Sequence, residues 1–182
     1  MNMIIRLATM ADIEQLADVH VKSWHSTYTG LTDQQFAHIL TYDSAKARFI
    51  QKLEEDNVDI FVAEKETKAM IGFVIIGPQR YDVDFSGEIY ALYLLEEYQG
   101  KGIGKSLFMT GVQQLKDYGY QSFSLLFIKD NKPAQSFYDY LGGHEIKRST
   151  FDINGVTYED IFYGWDSTEQ FLKQHAHKTV MD

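Results

Sequence analysis

The residues whose types and spacing are best suited to chemistry are Gln99, Gly100, Lys101, Gly102, Ile103, Gly104 and Lys105. Glycines at alternate positions, set between an apolar stretch and an amphipathic one, describe a strand that turns into a helix. The N–H groups at such a helix start have no partner inside the helix and lie at the positive end of its dipole, so the turn suits an anion such as a diphosphate. Lys101 and Lys105 add mobile positive charge there. Two common phosphate-binding patterns each fail by one residue. A dinucleotide fingerprint needs glycine where Lys105 stands, and a P-loop ending in Gly104, Lys105 and Ser106 needs glycine where Gln99 stands.

The elements that must hold this turn flank it. Ile89, Ala91, Leu92, Tyr93, Leu94 and Leu95 read as a well-buried strand. Ile103, Leu107, Val112 and Leu115 recur at helical spacing, and Gly119 stands where a C-terminal cap belongs. Upstream, residues 4–8 form a short strand, and Thr9 with Asp12 starts a helix that carries Ile13, Leu16, Ala17, His20 and Trp24 on one face. Trp24, His25, Tyr28 and Gly30 at its end fit either an acceptor pocket or ordinary core. His20 reads as a packed histidine, with no second ligand at metal spacing, and no metal site is expected.

Residues 32–40 and 44–55 read as two further helices. Strands over 58–64 and 70–76 pair through the turn at Glu66, Thr67 and Lys68, and Pro78 closes the second. The loop over 81–87 carries Asp82 and Asp84, which suit an ammonium group or are plain solvated acids. A buried strand over 122–128 precedes Asn131, which opens a helix with Pro133 in its first turn. Ala134, Phe137, Tyr138 and Leu141 share a face of that helix, and Gly142 ends it. Residues 144–153 and 156–165 alternate around Asn154-Gly155, a hairpin signal, and the tail over 166–182 carries a short helix from 167 to 177.

The chain of 182 residues is expected to form one domain over 1–182, without repeat or linker. Its 45% hydrophobic and 14% aromatic residues indicate an ordered globular protein. The lack of cysteine excludes disulfides, thiolate metal sites and an acyl-cysteine intermediate. Without a leader-like start or a membrane-length apolar run, the reading is a soluble, cytoplasmic protein with no membrane partner. A net charge of -9 argues against nucleic acid as a partner, and suits either a cationic acceptor or an acidic surface kept for solubility.

Gln99, Gly102 and Gly104 after a strand resemble the acetyl-coenzyme A motif of the GNAT superfamily of N-acetyltransferases. A second motif of that family is matched by Asn131, Ala134, Phe137, Tyr138, Leu141 and Gly142. Many members continue with phenylalanine where this chain has Gly143. A subgroup with glycine there is similar in Ser23, Trp24, Thr27 and Tyr28 and in Tyr163, Gly164 and Trp165. The resemblance covers nearly the whole chain and implies an α/β fold of α+β type, with a mixed central sheet of about seven strands, flanking helices and a splayed central strand pair.

The activity it implies is transfer of an acetyl group from acetyl-coenzyme A, as cosubstrate, directly to an amine within a ternary complex. The diphosphate would lie over Gly100, Lys101, Gly102, Ile103, Gly104 and Lys105, with Gln99 and Asn131 at the same site. The pantetheine arm would run along Leu92 to Leu94, where a backbone N–H would stabilise the oxyanion. The resemblance makes Tyr138 the general acid on the leaving sulfur and Glu88 the base, with Glu159 in reserve, either acid being equally readable as a salt-bridged structural group. Tyr90 shares the face of Glu88, and with Trp24 and Tyr28 would line the acceptor site. The acceptor is expected to be a small or polyamine-type molecule. A non-catalytic acyl-coenzyme A sensor, and an enzyme for protein N-termini or lysines, are the alternatives. The edge of the last hairpin offers a place for a second copy to pair.

Overall fold

The computed structural model describes residues 2–30, 36 and 38–176. Seven strands form one mixed sheet in the order β1-β2-β3-β4-β5-β7-β6. They are β1 (Met3–Leu7), β2 (Asp59–Lys65), β3 (Met70–Pro78), β4 (Gly87–Leu94), β5 (Phe123–Ile128), β6 (His144–Ile153) and β7 (Val156–Trp165). Five described helices accompany them: α1 (Ile13–Tyr28), α2 (Tyr42–Glu54), α3 (Ile103–Asp117), α4 (Lys132–Tyr140) and α5 (Thr168–Ala176). The helix expected over 32–40 lies largely outside the described residues. Among the described residues, no helix is long and apolar enough to cross a membrane.

Contacts divide the chain into two compact units, residues 1–75 with 91–110, and residues 76–90 with 111–182. In the first unit, β1 and β2 pair antiparallel from Met3 with Lys65 to Leu7 with Phe61. Arg6 ties this edge together. Its guanidinium meets both carboxylate oxygens of Asp12 at 2.8 Å and also pairs with Glu64. Asp12 closes the turn before α1 by accepting the Thr9 amide at 2.8 Å, as the Thr9 and Asp12 pairing in the sequence foretells. Leu16, Ala17 and Val19 of α1 are buried, as are Phe49 of α2 and Phe73 of β3. Gly72 of β3 is required for close packing, because a Cβ there would lie 2.7 Å from a Leu94 methyl and 2.8 Å from the Tyr93 carbonyl.

In the second unit, β5 pairs β7 antiparallel and β7 pairs β6. The β6–β7 turn falls at Asn154 and Gly155, both with positive φ, at the place their sequence marks. The parallel pair β4–β5 registers Gly87 with Phe123 and Glu88 with Ser124, at the N-terminal ends of both strands. Trp165 explains the glycine at 143. Its indole stacks on Phe123 at 4.8 Å and donates to the Leu141 carbonyl at 3.0 Å, and a Cβ on Gly143 would sit 2.5 Å from it.

Candidate active site

β4 is apolar enough throughout for deep burial, yet only Gly87, Glu88 and Ile89 are buried, while Tyr90 to Leu95, including Leu92 and Leu94, are half-buried. The chain leaves β4 through a short 3₁₀ turn over Glu96–Tyr98 and reaches α3 through Gly100 and Gly102. Both glycines hold positive φ, 70° and 81°, a region costly for residues with a Cβ. A Cβ at either would meet open space, so backbone conformation and not crowding calls for glycine there. The first helical bond is donated by Ser106 N to the Gly102 carbonyl at 3.0 Å. By helix geometry, the N–H groups of Gly102, Ile103, Gly104 and Lys105 come before any intrahelical partner. Open backbone, unfulfilled donors and the positive end of a 15-residue helix fit a diphosphate.

The other residues expected at this turn divide. Lys105 is half-buried at the helix start. Lys101 donates to the Glu97 carbonyl at 2.7 Å and lies 5.5 Å from the centroid of the Tyr98 ring, which keeps its charge beside the turn. Gln99 is exposed and donates to the Leu94 carbonyl at 3.1 Å, bracing the strand end against the turn. Asn131 is buried, and its side-chain oxygen accepts the Ala134 amide at 3.1 Å, so it caps α4.

Side-chain hydrogen bonds fix α4 and its end to β7, among them one from Gln135 to the Tyr163 hydroxyl at 3.4 Å. The Tyr163 hydroxyl donates to Asp139 at 2.7 Å, and Trp165 donates to Leu141 at the helix end. Tyr138 on this helix is buried, 5.5 Å from the Phe127 ring and 6.3 Å from that of Trp165. Trp24 and Tyr28 belong to an aromatic cluster with Phe36. Trp24 stacks on the Phe36 ring at 5.2 Å and donates to its carbonyl at 3.2 Å, while Tyr28 is buried beside both. His20 lies among Phe49, Phe73 and Tyr93, and burial pushes it down to about 3, so it is neutral at neutral pH.

Glu88 is sealed, with a side chain 2% exposed, and Arg80 holds it from three atoms: Nη2 at 2.5 Å, Nε at 3.1 Å and the backbone N at 3.0 Å. Both of its oxygens accept from Arg80, which suits a structural acid better than a base awaiting a proton. Tyr90 is likewise engaged, donating its hydroxyl to the Pro78 carbonyl at 2.7 Å beneath the Arg80 guanidinium. Glu159 pairs with Lys129 at 2.7 Å and Arg148 at 3.2 Å, and Lys129 first, then Arg148, hold it below the usual carboxylate range.

The residue that sequence reasoning passed over is its neighbour Asp160. Among the described residues no ion pair or side-chain hydrogen bond reaches this carboxylate, and burial pushes it up to about 6. The alternation of β7, which sets Asp160 on the face of Phe162 and opposite Tyr163, was the signal available for it. No group of three or more potential metal ligands occurs among the described residues.

Comparison with known proteins gives a concordant picture. Residues 18–142 match the model of a family described as Acetyltransferase (GNAT) family. An uncharacterized N-acetyltransferase, YuaI, of Bacillus subtilis (strain 168) is 32% identical over 166 residues, covering 88% of this chain and 91% of that protein. A spermidine N(1)-acetyltransferase of Thermoplasma acidophilum is 26% identical over 151 residues, covering 81% of this chain and 91% of the relative. Among solved structures, the PaiA N-acetyltransferase of Thermoplasma acidophilum, in complex with coenzyme A, superposes with a TM-score of 0.65 at 22% identity, over 91% of this chain and all of its own.

Proposed function

The chain belongs to the acetyltransferase (GNAT) family and is an N-acetyltransferase, and from that premise we propose that it moves an acetyl group from acetyl-coenzyme A directly to a small aliphatic amine. The observation that carries the reading is the glycine turn itself, after which the N–H groups from Gly102 to Lys105 come before any intrahelical partner. When bound, acetyl-coenzyme A supplies the acetyl group already activated as a thioester.

The chain's own part is to bind, orient and manage protons. The amides from Gly102 to Lys105 take the diphosphate, and Lys101 and Lys105 offset its charge. The backbone from Leu92 to Leu94 offers donors to an extended amide-bearing arm and to the negative charge that develops on a carbonyl oxygen. Tyr138 protonates the departing sulfur. A phenol at ~10 and a thiol at ~8.5 are close enough for a hydrogen bond that strengthens as charge develops. Arg80 gives Glu88 the task of fixing the start of β4.

A polyamine-type acceptor is supported by the spermidine acetyltransferase among the relatives and by the net charge of -9, which steers cations toward the protein. The test is mass spectrometry of products, with free-thiol release, after incubation with acetyl-coenzyme A and a mixed library of amines and peptides. Acetylated alkyl amines are the expected products. Thiol release confined to peptides would overturn the acceptor class, and none with any acceptor would overturn the activity.

A further inference from the structure

β7 carries Asp160 and Phe162 on one face, two residues apart. The loop between β3 and β4 folds over this face. Phe85 lies against Gly164, and the Tyr81 ring meets Phe162 edge-on at 5.2 Å and 81°. Burial is the main cause that raises the Tyr81 phenol; Arg80 opposes it, and Glu88 and then Asp160, near enough for its charge to be felt, add to it. Tyr81 is 43% exposed, so this corner opens to solvent. The Phe162 ring already holds an ammonium group above it. Lys147 Nζ lies 5.8 Å from its centroid and donates to the Asp82 carbonyl at 3.4 Å.

We propose that Asp160, walled by Tyr81 and Phe162, is the subsite that takes an ammonium group of the amine acceptor. The chemistry is complementary on each side. A half-buried carboxylate without a partner gains most from a charge-assisted hydrogen bond, and aromatic faces attract cations and exclude water. Neutral donors alone would leave the carboxylate's charge uncompensated. Arg80 is paired with Glu88, and Glu159 with Lys129 and Arg148, while Lys147 donates to the Asp82 backbone carbonyl. The cross-strand neighbours of Asp160, Ile128 on β5 and Ser149 on β6, carry no charge. Tyr138 lies with Phe127 and Trp165 at the opposite face of these strands, so the proposed acid and the ammonium subsite address opposite sides of the β5–β7 pair.

The subsite also gives amine binding a pH dependence. Burial alone raises Asp160 to about 6, so its charge is present above that pH and disappears as pH falls through it. Tyr81, Arg80 and Glu88 from the loop and β4, and Lys147 from β6, are the titratable groups on the elements packed at this corner; Arg80 and Glu88 pair with each other, and Lys147 donates to the Asp82 backbone carbonyl.

This inference rests on the amine reading above and is tested apart from it, by calorimetric titration of putrescine into the full chain. Wild type, Asp160→Asn, Tyr81→Ala and the loop control Asp82→Asn/Asp84→Asn are compared at about pH 7.5 and about pH 5.5. Asp160→Asn is expected to bind about tenfold more weakly than wild type at the higher pH and to lose the pH dependence, Tyr81→Ala to bind several-fold more weakly, and the loop control to match wild type. Equal affinity of wild type and Asp160→Asn, or no binding by wild type, overturns the subsite. Acetyl-coenzyme A is titrated in parallel. Its failure to bind would refute the acetyltransferase mechanism, whereas normal binding with an unaltered putrescine isotherm for Asp160→Asn refutes only the subsite.

Discussion

Replacing Glu88 with glutamine keeps the side-chain volume but removes a charge from a pair that is closed on one side and open on the other. The carboxylate is 2% exposed and Arg80 is 38% exposed, with contacts between 2.5 and 3.1 Å. In the variant, an amide NH₂ replaces one acceptor oxygen and faces Arg80 donors, and the guanidinium loses its counter-charge. Breaking a fully buried pair costs about 3–5 kcal/mol, and an exposed one about 0–1 kcal/mol. With one partner sealed and the other over a third exposed, the loss falls between, at about 2 kcal/mol. For a chain of this length each kcal/mol moves the melting temperature by about 2–4 °C, so the expected drop is about 4–8 °C. Circular dichroism melts of wild type, Glu88→Gln, Arg80→Met and the double variant measure it, and the double-mutant cycle isolates the pair. Acetyl transfer assayed well below these melts is expected to stay within about threefold of wild type. A melt unchanged by Glu88→Gln, joined to a loss of about 10²-fold or more in turnover with a displaced pH–rate limb, would refute the structural role and make this carboxylate the base.

Other consequences are as direct. Tyr138→Phe should lower turnover by about 10²-fold while leaving acetyl-coenzyme A affinity nearly unchanged, read by steady-state kinetics against calorimetry; equal turnover removes the acid. Gly143→Ala places a methyl group 2.5 Å from the Trp165 ring and 2.9 Å from Tyr163, and overpacking of this kind costs about 1–3 kcal/mol, visible as a lower urea midpoint. Arg6 first, then Thr9, hold Asp12 at about 2, below its ordinary ~3.9. This depressed carboxylate stabilises the fold fully above about pH 4, and the contribution is lost as pH falls toward 2. Urea midpoints across acid pH should therefore fall less steeply for Asp12→Asn than for wild type.

What the sequence discloses follows the range of the forces involved. The β6–β7 hairpin, the Asn131 cap, the Thr9 and Asp12 turn and the glycine turn before α3 rest on neighbours a few residues apart, and each is found where its residues place it. The apolar run of β4 is also legible, but half-burial from Tyr90 to Leu95 is not, because a hydrophobic run says nothing of how much of it neighbouring elements cover. The charges are the least legible. Glu88 is closed by Arg80 across a loop, and Glu159 is closed by Lys129 just past the end of β5 and by Arg148 in the middle of β6. Among the described residues, no ion pair or side-chain hydrogen bond reaches Asp160, the adjacent acid. A one-residue step along β7 thus separates a committed carboxylate from an available one, and alternation alone distinguishes their faces without naming their partners. Gln99 shows a further limit. Its type fits a ligand contact, yet its side chain braces the Leu94 carbonyl.

The amides after Gly102 are tested most directly by titrating acetyl-coenzyme A into wild type and Gly102→Val. The positive φ of 81° cannot be held cheaply by a β-branched residue, so the turn should change shape without a steric clash at the open Cβ position. Wild type is expected to bind, and Gly102→Val to bind at least about tenfold more weakly. Equal affinity in the two proteins, or none in wild type, would contradict the account.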